Sequence, residues 1–273
     1  MVSVREPAVA DRFYPGDAAK LRADVASYLS SPGAPQQERV HAIGCIVPHA
    51  GYIYSGHVAG AVFSRIEIPP SCIVLCPNHT GLGRPLAIMK EGAWRTSLGD
   101  LPIDSDLARR LLKAFPALVE DSAAHRSEHA IEVELPFLQV IRPDVKFVPI
   151  AVGTGQLMLL EHLGEAVATV VVTYEQPVLI IASSDMNHYE DDSTTRVKDH
   201  KAIDQILAID PGGLYETVMN ESISMCGFGP AVAMLTAAKR LGAKNAELVQ
   251  YATSGDLSGD RETVVGYAGI VVR

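Results

Sequence analysis

The chain has 273 residues, of which 48% are hydrophobic and 20% are charged, and its formal net charge is −9. This length and apolar content are enough to build a sizeable core in one large α/β domain or in two small ones. The acidic balance, with no basic run, argues against a surface for nucleic acid or anionic membrane, since both need clustered lysine and arginine.

The N-terminal residues MVSVREPAVADRFYPGD carry charges and prolines where a signal peptide has an apolar core. No uninterrupted apolar run approaches the roughly 20 residues that span a bilayer. We therefore expect a cytoplasmic protein without a membrane partner, whose four cysteines are reduced.

The N-terminal half begins with a helix, which we predict over residues 18–29 because Leu21, Val25 and Leu29 repeat every four residues. A linker-like segment, Ser31 to Arg39, follows this helix. The next predicted elements, in chain order, are a strand near 42–47, a helix over 55–66, a strand near 72–76, a two-strand excursion over 86–99 that turns at 91–92, and a helix over 105–115 capped by Ser105.

The C-terminal half starts with SEHAIEVELPFLQVI, residues 127–141, which is predicted to be helical with a bend or interruption at Pro136. The elements beyond it are strands near 146–152, 178–183, 247–252 and 264–272, and helices near 157–173, 195–208 and 230–241. This alternation of strands and helices indicates an α/β fold, with a largely parallel or mixed sheet and helices on both faces. The last strands are expected to add antiparallel edges. No break in composition divides the chain, so we predict one domain over residues 1–273.

Three apolar strands are each followed by a histidine. His49 follows AIGCIV, His79 follows SCIVLC, and His188 follows PVLIIASS after three more residues. Because ligands of open α/β sheets bind outside the carboxyl ends of the strands, these histidines can converge although they are far apart in sequence. A proline precedes His49 and His79, and a glycine follows each within two residues, so both lie in defined turns.

A cysteine completes the candidate set. Cys226 in SMCGFGP lies in a glycine-flanked loop before a predicted helix, where we expect the thiol pKa to be lowered. Two neutral imidazoles and a thiolate suit zinc, iron or copper, and three protein ligands leave a coordination position open for water or substrate. The alternative is that His49 and His79 are ordinary loop residues and Cys226 a structural thiol, and spacing alone does not decide between these readings.

The segment SSDMNH supplies two candidate catalytic residues. Asp185 is expected to orient a ligand histidine through its second ring nitrogen. Histidine has an unperturbed pKa of about 6.5, so His188 is expected to move protons near neutral pH, across the cleft from the metal. Tyr54, in GYIYSG, and Asn78, beside His79, are the candidate substrate-binding residues, although a packed loop tyrosine is an equal reading of Tyr54.

A rival motif is HRSEH, which matches the H-x-x-E-H pattern of a class of zinc peptidases. It would place His125 and His129 on one helical face, with Glu128 as general base. A solvated helix N-terminus capped by Ser127 explains the same residues, and no clear helix downstream supplies a further glutamate. A zinc peptidase is therefore the minor alternative.

Seven stretches of the chain, spread from end to end, resemble the Memo family, whose prokaryotic members are labelled AmmeMemoRadiSam system protein B. They are REPAVADRFYP, PHAGYIYSG, PNHTG, SEHAIEVELPFLQ, SSDMNHY, MCGFGP and YATSGDLSGDRETVVGYAG. The chain departs from the family's opening stretch at Asp11, where the family usually carries glycine.

The resemblance implies a fold similar to that of the class III extradiol dioxygenases, in which a non-haem iron lies in a cleft at the sheet edge. It implies His49, His79 and Cys226 as metal ligands, and Asp185 and His188 as further pocket residues. The dioxygenases have a carboxylate where this chain has Cys226, and a thiolate makes an iron site softer and favours copper or zinc. Iron and copper are therefore the expected metals, with zinc as a third choice.

The leading expectation for function is a metal-dependent oxidoreductase acting on a small molecule, and the family label implies a radical-SAM enzyme as a partner protein. One alternative is a metal-binding or metal-chaperoning protein without turnover. The other is an interaction module, because the human relative is associated with phosphotyrosine peptides.

Overall fold

The computed structural model of the protein describes residues 3–30 and 38–273, so most of the linker-like segment, residues 31–37, lies outside the described residues. The strands in the described ranges are β1 (Val4–Arg5), β2 (Gly44–Val47), β3 (Ser71–Pro77), β4 (Leu86–Ile88), β5 (Ala93–Thr96), β6 (Gly99–Pro102), β7 (Val119–Glu120), β8 (Lys146–Val152), β9 (Val178–Ser183), β10 (His188–Glu190), β11 (Ala246–Thr253) and β12 (Val264–Val272). The helices there are α1 (Ala18–Leu29), α2 (Tyr52–Arg65), α3 (Ser105–Ala114), α4 (Leu135–Ile141), α5 (Leu157–Thr173), α6 (Asp192–Leu207), α7 (Pro211–Asn220), α8 (Phe228–Arg240) and α9 (Gly255–Ser258).

The main sheet is mixed, with strand order β10-β12-β2-β9-β3-β8-β4-β7 and with β11 paired to β12. Its centre, β2-β9-β3-β8, is parallel. β11 and β12 are antiparallel to each other, and β12 is antiparallel to β2. The predicted α/β class and the antiparallel final strands are therefore confirmed.

Both faces of the sheet are covered, and neighbouring residues of one strand enter different cores. In β3, Ile73 belongs to the core under α8 and α5, whereas Val74 belongs to the core under α1, α2 and α4. In β9, Ile180 and Ile181 divide in the same way. Side chains alternate between the faces of a strand, so a strand buried on both faces is a continuous apolar run.

The two strands predicted over 86–99 both form, but they do not pair with each other. β4 stays in the main sheet between β8 and β7, whereas β5 lies in a separate sheet of order β1-β5-β6. The turn at 91–92 therefore carries the chain from one sheet to another. Gly92 adopts φ +109° there, and the Cβ of another residue would meet the backbone oxygen of Ser3 at 2.4 Å, which explains the glycine.

Two helix starts also differ from prediction. The N-cap of α3 is Asp104, whose carboxylate accepts the N–H of Leu107 at 3.2 Å, and Ser105 is the first helical residue. The helix predicted over 127–141 is only α4, with Pro136 in its first turn, where its missing N–H costs nothing. The preceding residues make turns with their own backbone hydrogen bonds. Buried Glu132 ties these turns to the N-terminal strand region, since it pairs with Arg5 and accepts the Tyr14 hydroxyl at 2.8 Å.

The conformation of Asp11 shows why aspartate is tolerated at a position where the family that the sequence resembles usually has glycine. Its backbone has φ +62°, in the left-handed region that favours glycine, and its carboxylate accepts the N–H of Gly16 at 2.7 Å. That local bond makes the strained conformation tolerable for an aspartate.

None of the helices formed by the described residues is both long and apolar enough to cross a membrane.

Candidate metal centre

The candidate site lies at the carboxyl ends of three neighbouring parallel strands. His49 follows β2 by two residues, His79 follows β3 by two, and Asp185 follows β9 by two. β9 lies between β2 and β3 in the sheet, so the three strand ends meet at one edge. The loop that precedes α8 brings Cys226 to the same place.

Three imidazoles form a compact cluster there. One ring nitrogen from each of His49, His79 and His129 lies within 4.8 Å of the other two. The ring centroids are 5.1 Å apart for His49 and His79, and 4.7 Å for His79 and His129, which stack at 25°. The histidines differ in solvent exposure: His49 is 2% exposed, whereas the side chain of His79 is 32% exposed.

The orientation and tautomer of His49 are set by Ser183. The Ser183 hydroxyl donates to the carbonyl of Ala130 at 2.8 Å, so its oxygen accepts from Nδ1–H of His49 at 2.8 Å. Nε2 of His49 is then the unprotonated nitrogen that faces the cluster. Burial, followed by repulsion from His79, holds the pKa of His49 well below its usual value, so the ring is neutral at physiological pH.

Glu128 orients the second histidine. Its buried carboxylate accepts the backbone N–H of His79 at 2.6 Å and Nδ1–H of the same ring at 2.9 Å. It also accepts the N–H groups of His129 at 2.9 Å and Ala130 at 3.1 Å. Burial opposes the charge, but these hydrogen bonds outweigh it and lower the pKa of Glu128 to about 2. Because Nδ1 of His79 is bonded to Glu128, Nε2 is the ring nitrogen left to reach a metal.

His129 is the member of the cluster that sequence reasoning did not place there. Its ring packs between His79 and Phe13, whose centroid is 4.8 Å away. Burial, then repulsion from His49, lowers the pKa of His129 to about 4, so this ring is also neutral. The signal was present in HRSEH, which contains both His129 and Glu128 but was interpreted as a helix.

The zinc-peptidase interpretation of HRSEH is not supported by the geometry. Residues 125–129 form turns, so His125 and His129 do not share a helical face. His125 is fully buried against Trp94, with ring centroids 5.6 Å apart, and it is not a member of the histidine cluster. Glu128 is bonded to His79 and serves as an orienting carboxylate, not as a free general base.

Cys226 adjoins the cluster on the His49 side. Its sulfur lies 3.3 Å from Nε2 of His49 and 3.7 Å from the carbonyl oxygen of Asp185. Burial, then the charge of Asp185, raises the pKa of Cys226, so the expectation of a lowered pKa at the helix start is wrong for the protein alone. The next residue, Gly227, allows the close seat, because a Cβ there would meet the backbone oxygen of Ser183 at 2.3 Å.

Asp185 supports His49 through the backbone and not through the ring. Its Oδ1 accepts the backbone N–H of His49 at 2.8 Å, whereas Oδ2 is 4.0 Å from Nε2. The expectation that Asp185 orients a ligand ring through its second nitrogen is therefore wrong, since Ser183 does so. Burial raises the pKa of Asp185.

His188 is half-buried and is fixed by Ser224. Its backbone N–H donates to the Ser224 hydroxyl at 2.7 Å, and its Nδ1–H donates to the Ser224 carbonyl at 3.0 Å. A carbonyl only accepts, so Nδ1 carries the proton in the neutral ring and Nε2 is left unprotonated. Ser224 is two residues from Cys226, so one loop holds both side chains.

Neither of the two predicted substrate-binding residues is fully buried. Tyr54 is in the first turn of α2 and is 39% exposed. Asn78 uses its amide within its own loop: Nδ2 donates to Leu82 at 2.7 Å, and Oδ1 accepts from Thr80 and Gly81. Asn78 thus shapes the turn that carries His79, and substrate contact by either residue stays a prediction.

The donor chemistry at this edge fits a transition metal. Three imidazoles and a neighbouring sulfur make a nitrogen and sulfur set of the kind that binds zinc, copper or iron. Two of the rings have their tautomer fixed by a second hydrogen bond on Nδ1, as is usual for metal-ligating histidines.

The fold and the cluster define an α/β protein with a candidate metal centre at the carboxyl edge of its sheet. The chain belongs to the Memo family: the family model described as Memo-like protein matches residues 5–271. It is 42% identical to MEMO1 family proteins of Pyrobaculum arsenaticum, over 98% of each chain, and of Methanopyrus kandleri, over 98% of this chain and 99% of the relative. It is 39% identical to one of Methanosarcina mazei, over 99% of this chain and all of the relative.

A solved structure shares the fold at much lower sequence similarity. An uncharacterised protein of Escherichia coli K12 superposes with a TM-score of 0.60 at 11% identity, covering 84% of this chain and 98% of the other. At that identity the comparison supports the α/β architecture and nothing about activity.

Proposed function

We propose that this protein binds a transition metal at the edge of its sheet, through His49 and His79, with a third donor from Cys226 or His129. The observation that carries the proposal is the convergence of three imidazoles, each with one ring nitrogen within 4.8 Å of the other two, and a sulfur 3.3 Å from Nε2 of His49. The chance that three loops far apart in sequence deliver such donors to one point without a ligand is small.

The choice of third donor depends on the metal. His129 is neutral as it stands, whereas Cys226 must lose a proton before it ligates. The bond between a soft metal and a thiolate sulfur is strong enough to offset the free energy of deprotonating Cys226, whereas the bond to a harder metal offsets less of it. We therefore propose that copper, as Cu(I), recruits Cys226 most strongly. Iron and copper remain the metals we propose first, with zinc as the third choice.

An oxidoreductase activity on a small molecule is the second part of the proposal. A bound iron or copper would supply a site where dioxygen and substrate are activated. The observation that favours turnover is His188, because Ser224 holds its backbone and Nδ1 and leaves Nε2 available for proton transfer. Asp185 is buried beside the cluster, so a change in charge at the metal would act directly on its carboxylate.

Two alternative functions involve no turnover. The first retains the metal centre and the second does not depend on it. A protein that carries or stores metal would need the donors but not His188. An interaction module for phosphotyrosine peptides would need a positively charged surface near the rim. We also propose a cytoplasmic location, which the sequence supports, and a radical-SAM enzyme as partner, which the family label supports.

Metal analysis and an oxygen electrode test the proposal together. Protein purified without a histidine tag should carry about one equivalent of metal after anaerobic loading with Fe(II) or Cu(I), and His79→Ala should carry none. Oxygen consumption by the loaded protein, absent in His188→Ala, supports the oxidoreductase. Full metal content without oxygen consumption favours the binding protein. Failure to retain Fe(II) and Cu(I), and Zn(II) in a parallel loading, refutes the centre.

A further inference from the structure

A polar cavity of about 670 Å³ lies on the far side of the turn that carries Glu128 and His129. Its volume is in the range that holds small organic ligands. The N-terminal strand region forms one wall, and the turn from β7 towards His129 forms another. The lining residues are Ser3, Val4, Arg5, Glu6, Pro7, Ala8, Val9, Arg12, Met89, Ser122, Arg126 and Ser127.

The charges that line this cavity are unbalanced. Arg5 is neutralised by buried Glu132, and Glu6 pairs with Arg95 at 2.9 Å. Arg12 and Arg126 are exposed and make no ion pair with any residue in the described ranges. Two free guanidinium groups on one cavity are notable in a protein whose formal net charge is −9.

Neutral donors accompany the two arginines. The hydroxyls of Ser3, Ser122 and Ser127 line the cavity. The backbone N–H groups of Arg126 and Ser127 find no acceptor among residues 3–30 and 38–273, although they belong to an otherwise hydrogen-bonded turn. Consecutive free N–H groups beside guanidinium groups are a usual setting for carboxylate or phosphate oxygens.

The cavity is separate from the metal centre, but the same two chain segments line the cavity and position residues of the centre. Arg126 precedes Glu128 by two residues, and Arg12 precedes Phe13, whose ring packs on His129. None of the three clustered histidines lines the cavity. A ligand here would therefore contact the two segments that position Glu128 and His129 without reaching the metal donors.

We propose that this cavity is a second binding site, for a small molecule with a carboxylate or phosphate group. Arg12 and Arg126 hold the anionic group, the free N–H groups and hydroxyls complete its hydrogen bonds, and Val4, Val9 and Met89 contact a short apolar body.

Isothermal titration calorimetry on the full chain at low ionic strength tests the site. Succinate and inorganic phosphate serve as probes, and succinamide serves as the uncharged match of succinate. At least one of the two anions should bind saturably at one site, and succinamide should not. Arg12→Gln and Arg126→Gln should each weaken that binding by roughly tenfold or more, the usual loss when a charge-assisted hydrogen bond is removed.

Two controls make the result specific. Arg22→Gln removes the same charge from an exposed arginine on α1 that does not line the cavity, and it should leave the affinity unchanged. His49→Ala should bind the anion as well as the unmodified chain does. The proposal is overturned if neither anion binds saturably, if Arg22→Gln weakens binding as much as the cavity variants, or if His49→Ala alone abolishes it, which would place the anion at the metal centre.

Discussion

Glu128 is the residue on which the geometry of the histidine cluster depends most. Its fully buried carboxylate accepts four N–H groups, two of them from His79. Glu128→Gln keeps the size of the side chain and one oxygen, but it replaces the other oxygen with an NH2 group and removes the charge.

The cost of this change follows from the hydrogen bonds. Oε1 accepts three of the four N–H groups, so the glutamine oxygen is best placed there, and the NH2 group then faces the backbone N–H of His79. Leaving that buried donor unsatisfied costs about 1–3 kcal/mol. The three remaining bonds lose their assistance from the charge, and we expect a total loss of about 3 kcal/mol in the free energy of unfolding.

Urea denaturation followed by circular dichroism measures this loss. Glu175→Gln, at an exposed residue before β9, is the matched control and should change the free energy of unfolding by less than about 0.5 kcal/mol. In the fraction of the protein that remains folded, Glu128→Gln should also weaken metal binding by about 10–100-fold, because His79 loses the partner that fixes its ring. A variant as stable as the control, with unchanged metal affinity, would refute the role assigned to Glu128.

Three further predictions concern the site and its surroundings. Cys226→Ser should weaken binding of Cu(I) more than binding of Zn(II), as measured by competition with a chelator, and equal losses would argue against sulfur ligation. His188→Ala should leave the metal content nearly unchanged and abolish any turnover, whereas His79→Ala should remove the metal; equal loss of metal in both would contradict this division. Buried Asp199 has its pKa raised from 3.8 to about 6, mainly by burial, so its stabilising effect is complete below pH 3.8 and is lost as pH rises through 6. The unfolding free energy should fall by up to about 3 kcal/mol over that window, and a pH titration of Asp199→Asn that shows the same fall would assign it to another group.

The sheet was predictable because its signal is local. β3 and β9 are apolar runs buried on both faces, and only strands between two helical layers need that pattern. The position of His49 and His79 after such strands predicted their meeting at one edge of the sheet, where the structure places them.

The parts that sequence reasoning missed depend on contacts between distant residues. The helix expected over 127–141 is shortened because buried Glu128 and Glu132 bond to His79 and to Arg5, 49 and 127 residues away. No local pattern reveals these partners, and without them His129 looks like part of a helix. The pKa of Cys226 is a similar case, since the helix start was visible in the sequence but the burial that opposes it was not.

The anomalous-scattering map of crystals of the iron- or copper-loaded protein tests the central claim most directly. The proposal predicts one metal peak at about 2.0–2.3 Å from Nε2 of His49 and Nε2 of His79, with Cys226 or His129 as the next donor. A peak that neither His49 nor His79 contacts, or no peak in fully loaded crystals, would contradict it.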